Sequence, residues 1–349
     1  MMSEIQLAKD DFFKIDVECH IATPLGDTNY FPRIQAYKEG VSGMRRAMWG
    51  APGGPVWRQY GGKPSKFWET WGEEGLPTPE ELIAAMDKIG VDMACLLPES
   101  FMEAFGYSTR WSTNGQVARY CEKYPERFIF QPNVGPIKKR GMKEVLWELE
   151  YLIKERNAKL VKFYPPEDTF INDPELWPFY EKISDLGIPV TIHTGANWVP
   201  GFGLSKYSLP ILLEEVVNDF PGLKVIAFHF GWPYHHDLNV IACKNSNVYI
   251  GISWLVLWSV SAPRRFAELI GEAIRFAGPD RLVWGTDLLY DAEVRMKLSV
   301  EGFKSFQIPQ DMIEGYGYEA LTDETKRKIF GGNLARLLNI ETKRKIAAR

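Results

Sequence analysis

Long apolar runs are missing from this chain. Its most apolar stretch, Tyr249 to Ala262, falls about six residues short of the roughly 20 needed to cross a bilayer and follows strand-like sequence, so no membrane span is expected. Basic charge is not in excess either. Lys and Arg total 41 against 45 acids, a formal charge of -4, which leaves no long-range positive field to recruit nucleic acid or anionic lipid. Paired cysteines are absent: Cys19, Cys95, Cys121 and Cys243 are scattered without a CxxC, and three lie in or beside apolar segments. That is the usage of reduced thiols, and a cytoplasmic protein without disulfides is expected. The opening residues MMSEIQLAKDDFFK are polar where a secretory signal would be apolar, so export is not expected. No P-loop, no Rossmann glycine pattern between strand and helix, and no GxSxG is present. Nucleotide cofactors and a serine nucleophile therefore have no motif, and no organic cofactor is expected. Small-molecule chemistry is what remains.

What is present is a balance of 45% hydrophobic and 25% charged residues over 349 positions, enough to bury a large core. Short runs rich in Val, Ile and Phe recur at Ile15 to Cys19, Asp92 to Pro98, Arg127 to Gly135, Ala158 to Pro165 and Pro189 to Gly195. Three more follow at Leu223 to Phe230, Asn247 to Ser253 and Arg281 to Asp287. Most are nearly continuous apolar runs, the pattern of strands buried on both faces in a parallel sheet. Helical segments lie between them. Thr78-Pro79-Glu80-Glu81 combines a capping box with Pro at the first helical position, and Leu82, Met86 and Ile89 follow at helical spacing. Asp173-Pro174 opens another, carrying Leu176, Phe179, Tyr180 and Ile183 and ending at Gly187. Eight alternating units predict a single α/β domain over residues 1–349, a (β/α)8 TIM barrel, with a doubly wound open sheet as the structural rival.

The interval 21–78 is too long for an ordinary connection from strand to helix and holds Trp49, Trp57, Trp68 and Trp71 among many glycines. It reads as an insertion capping the barrel mouth, or as a structural elaboration or oligomer contact.

In a parallel barrel the chemistry collects at the carboxyl ends of the strands. Glu18 and His20 close the first strand, His193 the fifth, His229 the sixth and Asp287 the eighth. Residues two apart in a strand share a face, so Glu18 and His20 can reach one ion while Cys19 faces away. Taken singly, each has an ordinary explanation: a chance i, i+2 pair, core histidines, a turn aspartate. Together they form a costly set of buried acids and imidazoles that a cation would stabilise. Two imidazoles and two carboxylates suit one divalent ion, with Zn2+ or Mn2+ foremost.

The residues resemble the amidohydrolase superfamily, specifically its branch of aminocarboxymuconate-semialdehyde decarboxylase-like proteins, which includes γ-resorcylate and 5-carboxyvanillate decarboxylases. The resemblance spans the barrel. It rests on Ile15-Asp16-Val17-Glu18-Cys19-His20, Leu160 through Pro166, Pro189 through Gly195, Phe228-His229-Phe230-Gly231, Asn247 through Ile250, Arg281 through Asp287 and the closing Phe330 through Leu337. It implies metal ligation by Glu18, His20, His193 and Asp287, with His229 as a catalytic partner beside them. It also implies a homodimer or homotetramer. Many hydrolytic relatives carry His-x-His at the first motif, whereas Glu-x-His is the decarboxylase form. Lys162 stands where binuclear relatives carry a carboxylated lysine, and no ligand role is expected for it here. One departure stands out: the resorcylate-type enzymes have a glutamate three positions after the strand-six histidine, where this chain has Trp232. His235, His236 and Asp237 follow closely and are candidates to replace it, the alternative being a solvated helix start.

The resulting expectation is nonoxidative decarboxylation of an aromatic acid with an ortho hydroxyl. Asp287 is the candidate proton donor, with His229 hydrogen-bonded to it. Phe163, Tyr164, Trp198, Trp232 and Trp254 are candidates for flat apolar walls, and Arg45, Arg46 and Arg58 for a cation facing a remote anionic group. The alternatives are a metal-dependent lactone or amide hydrolase with Asp287 as general base, and a noncatalytic metal- or ligand-binding barrel.

Overall fold

The computed structural model describes residues 12–21, 34–61, 76–98, 112–198, 203–288 and 291–341. Eight strands follow in order: β1 (Ile15–Ile21), β2 (Met93–Pro98), β3 (Phe128–Phe130), β4 (Val161–Phe163), β5 (Val190–Ile192), β6 (Val225–Ala227), β7 (Val248–Gly251) and β8 (Leu282–Val283). Every adjacent pair within the β1-β2-β3 and β4 to β8 ladders is parallel. Two single bridges join these ladders, Asn133 with Lys162 and Cys19 with Leu288. Backbone bonds from Lys162 N to Pro132 O at 2.8 Å and from Asp287 N to Glu18 O at 2.9 Å reinforce the joins. The sheet thus closes on itself, which selects the barrel over the open sheet. All eight expected runs contain a strand, and in β3 to β8 the ladder is shorter because the last residues of the run leave it to form the mouth.

Strand alternation sorts the side chains into two cores. Leu160 just before β4, Ile226 on β6 and Val283 on β8 meet Ile15, Val17 and Cys95 inside the barrel, closed at the amino end by Leu334, Ala335 and Leu338. Val161, Phe163, Val190 and Ile192 face outward to the helices. β1 changes face part-way. Ile15 and Val17 belong to the inner core but Cys19 and Ile21 to the outer one, and the pairing with β2 shifts register between Asp16 and Cys19. This irregularity turns Glu18 and His20 inward at the mouth, re-aiming side chains as bulges do beside active sites.

The helices obey their local signals. Thr78 and Glu81 exchange both capping bonds, at 3.2 Å and 2.9 Å, and Gly90 ends Pro79–Ile89 at φ 84. Asp173 caps the short turn that leads into Trp177–Leu186, which stops at the left-handed Gly187. In the insertion, helix Ile34–Trp49 buries Met48 in the outer core and packs on the turn Trp258–Ser261 that follows β7. Residues 22–33 and 62–75, including Trp68 and Trp71, lie outside the described residues. Cys19, Cys95, Cys121 and Cys243 are all free thiols. No helix among the described residues is long and apolar enough to cross a membrane.

Candidate active site

Four strand ends deliver five titratable side chains to one place. Ligand atoms of Glu18, His229 and Asp287 lie mutually within 4.8 Å. His20 Nε2 is 3.0 Å from Asp287 Oδ1 and 3.9 Å from Glu18 Oε1. His193 joins through His229, its Nδ1 lying 3.1 Å from His229 Nε2. Glu18 is almost wholly buried, whereas Asp287 keeps 27% of its side chain exposed toward the opening.

The two imidazoles are anchored from behind. His193 Nε2 lies 3.2 Å from Ala196 O, and His229 Nδ1 lies 3.3 Å from Ser253 O. If each carbonyl takes an N–H, each ring presents a bare nitrogen to the other across that 3.1 Å gap, which is repulsive until a cation or proton shares it. Burial, then the nearby His229 and Lys162, push the His193 pKa well below its ordinary value, so its lone pair stays available at neutral pH. At Asp287 burial pushes the pKa up, but the hydrogen bond from His20 and the charges of His229, His20 and Arg295 outweigh it, holding the group well below the usual carboxylate range. A donor set of carboxylates and neutral imidazoles, with facing lone pairs, fits a divalent ion of the Zn2+ or Mn2+ class.

The backbone is bent to make this arrangement. His229 (φ 61), Trp254 (φ 59) and Asp287 (φ 54) all occupy positive φ just past strand ends, each costing about 1–3 kcal/mol for a residue with a side chain. Such positions cluster where geometry is held for function. Gly195 adds a close approach: at φ 87, a Cβ there would lie 2.1 Å from Trp232 O. Only glycine lets the loop after β5 close on the loop after β6, where Ala196 N donates to Trp232 O at 2.7 Å.

Several side chains to which sequence reading gave no role support the cluster. Lys162 Nζ donates to Glu18 Oε1 at 2.6 Å and Ser253 Oγ to Glu18 Oε2 at 2.5 Å. Asp16 accepts from Thr286 N at 2.9 Å and Glu18 N at 3.1 Å, tying β1 to the end of β8. Burial above all pushes its pKa up to about 7. The signal for Lys162 was there: a lysine in the middle of a buried strand needs a partner.

Of the expected walls, three tryptophans come together. Trp198 stacks on Trp232 at 5.1 Å and 18°, and meets Trp254 at 4.6 Å. Tyr164 sets its ring edge-on to His193 at 4.9 Å and donates its hydroxyl to Asn197 Oδ1 at 2.7 Å. Phe163 is a correction: alternation on β4 turns it outward from Lys162, and it is fully buried against Phe179. Arg45 lies 5.0 Å over the Trp57 ring while Arg46 and Arg58 are exposed. His235 and His236 do not replace the missing glutamate, because they turn to Glu272 on helix Pro263–Ala277. The expected bond between His229 and Asp287 is also absent among the described residues. β7 runs between β6 and β8, and Ser253, just past its end, lies with Oγ 3.3 Å from His229 Nδ1.

The sequence model of the amidohydrolase family matches residues 15–340. Among solved structures, an uncharacterized TIM-barrel protein from Bordetella bronchiseptica is 21% identical, with a TM-score of 0.63 over 94% of this chain and 98% of its own. A dihydroxybenzoic acid decarboxylase from Polaromonas, solved with manganese and 2-nitroresorcinol, is 16% identical, with a TM-score of 0.61 over 97% of this chain and 100% of its own. The 5-carboxyvanillate decarboxylase of Novosphingobium aromaticivorans, solved with manganese and 4-hydroxy-3-methoxy-5-nitrobenzoic acid, is 18% identical. Its TM-score is 0.59 over 94% of this chain and 96% of its own. Comparison with curated protein sequences gave no match.

Proposed function

Because the chain belongs to the amidohydrolase family, we propose that it is a metal-dependent, nonoxidative decarboxylase of an aromatic carboxylic acid bearing a hydroxyl ortho to the carboxylate. The observation that carries this reading is the juxtaposition of a carboxylate and imidazole cluster with a wall of three tryptophans. Trp198, Trp232 and Trp254 sit on the loops that leave His193, His229 and Ser253. Flat indoles suit a flat ring, and the two decarboxylases of similar fold were solved with manganese and ring-hydroxylated nitroaromatics.

Glu18, His20, His193 and Asp287 would hold a single Zn2+ or Mn2+. Bound there, such an ion would supply Lewis acidity that offsets negative charge on the substrate. The side chains do the rest. Lys162 and Ser253 fix both oxygens of Glu18, and Ala196 fixes the His193 ring. The tryptophans orient the substrate ring and exclude water from one side of it. Asp287, a carboxylate at rest, takes a proton from the ortho hydroxyl or from water and delivers it to the ring carbon bearing the carboxylate. A π pair of the ring forms the new C–H bond; when the carbon–carbon bond then breaks and carbon dioxide leaves, its bonding pair returns to the ring and restores aromaticity. His229, beside His193 and within reach of Asp287, assists that transfer.

The test is an assay of ring-hydroxylated aromatic acids in D2O with Mn2+ and Zn2+ supplied separately. Carbon dioxide release with one deuterium at the vacated ring position is expected; a product lacking deuterium there contradicts the proton route. Hydrolysis of a lactone or amide is the second reading, and one observation favours keeping it. Glu18 would weaken an ion's Lewis acidity through its extra negative charge, but Lys162 at 2.6 Å offsets much of that charge.

A further inference from the structure

The pair His235 and His236, left unused by the barrel mouth, forms a cluster of its own. His236 Nδ1 lies 3.0 Å from Glu272 Oε2, and His235 Nε2 lies 3.8 Å from the same oxygen. All three ligand atoms fall within 4.8 Å of one another. We propose that His235, His236 and Glu272 form a second divalent-cation site, selective for imidazole-preferring ions of the Zn2+ class, which ties the start of helix His235–Lys244 to helix Pro263–Ala277.

Three independent features support it. The spacing fits, because a tetrahedral ion with bonds of about 2.0–2.1 Å sets neighbouring ligand atoms roughly 3.3 Å apart, and the two measured separations of 3.0 and 3.8 Å bracket that value. The ligands are oriented from behind. His235 Nδ1 lies 3.1 Å from Pro233 O, so an N–H donated to that carbonyl leaves the lone pair on Nε2, the atom facing Glu272. Asn239 Nδ2 holds the carboxylate, donating to Glu272 Oε2 at 3.3 Å. Backbone carbonyls and amides in these positions are the outer contacts that metal-binding histidines and carboxylates use. Access is open as well: His236 is 71% exposed while His235 and Glu272 are 16% and 21% exposed, leaving room for water as a fourth ligand.

The site has a consequence for the barrel mouth. Residues His229 to Tyr234 run directly from the catalytic cluster into this helix, with Trp232 N bonded to His229 O at 2.9 Å and Tyr234 N to Gly231 O at 2.9 Å. An ion at His235 and His236 would clamp the segment that positions His229 and Trp232.

The test is a Zn2+ titration of the untagged, metal-stripped protein beside His236→Ala and Glu272→Gln, followed by calorimetry and by the Co2+ visible spectrum. Each variant is expected to bind one equivalent fewer than the unaltered protein and to lose the corresponding Co2+ band. Because the comparison is a difference of one equivalent, it stands whether or not the barrel mouth binds metal. His20→Ala, which alters the mouth alone, is expected to keep the His236-dependent equivalent. Equal stoichiometry in the unaltered protein and both surface variants, at Zn2+ up to about 100 micromolar, overturns the proposal.

Discussion

Lys162 and Glu18, 144 residues apart, meet inside the barrel with Nζ 2.6 Å from Oε1 and both side chains almost wholly buried. Breaking a buried pair by removing one partner leaves the other charge uncompensated, a loss of about 3–5 kcal/mol. Lys162→Met is therefore expected to lower urea stability of the metal-free protein on that scale, and Lys162→Met with Glu18→Gln to recover most of it. Added Mn2+ should narrow the deficit of the single variant, because the ion compensates Glu18 in place of the lysine. Equal destabilisation of the single and double variants would show that the lysine acts by packing alone.

His193 and His229 touch, yet different losses are expected from each. His193→Ala removes a proposed ligand, so metal content by elemental analysis should fall at least about 100-fold in affinity. His229→Ala should retain the ion within about tenfold, while kcat drops about 10²–10⁴-fold. Loss of metal from His229→Ala with retention in His193→Ala would exchange the two roles.

Gly195→Ala places a Cβ against the Trp232 carbonyl in a backbone conformation that side chains rarely adopt. A destabilisation upwards of about 2 kcal/mol is expected, measurable by thermal unfolding. Gly43→Ala, where a Cβ meets nothing within 4 Å, is the matched control.

Trp232→Ala removes one of the two stacked indoles. If the wall carries the substrate ring, KM for the best aromatic acid should rise about tenfold, the value of roughly 1.4 kcal/mol of lost ring contact. An unchanged KM would move the substrate elsewhere in the mouth.

The barrel was legible because parallel strands buried on both faces leave near-continuous apolar runs, and every such run from Ile15 to Asp287 contains a strand. Glu18, His20, His193, His229 and Asp287 were legible because each lies near the carboxyl end of a strand-like run in the sequence, and strand ends share one rim. What escaped reading depends on strand facing and on contacts between distant segments. Phe163 and Lys162 are neighbours in sequence but point to opposite sides, so the aromatic went to the outer core and the lysine to Glu18. The register shift in β1 has no sequence mark that distinguishes it from regular alternation. The destination of His235 and His236 was equally hidden, because it depends on the packing of helix His235–Lys244 against helix Pro263–Ala277.

The central claim is that side chains from separate strand ends share one cation, and diffraction at the manganese absorption edge from crystals soaked in Mn2+ tests it most directly. The account expects an anomalous peak within coordination distance of Glu18, His20, His193 and Asp287. A fully ordered mouth with no peak, His20 still bonded to Asp287 and Lys162 still the sole cation beside Glu18, would contradict it.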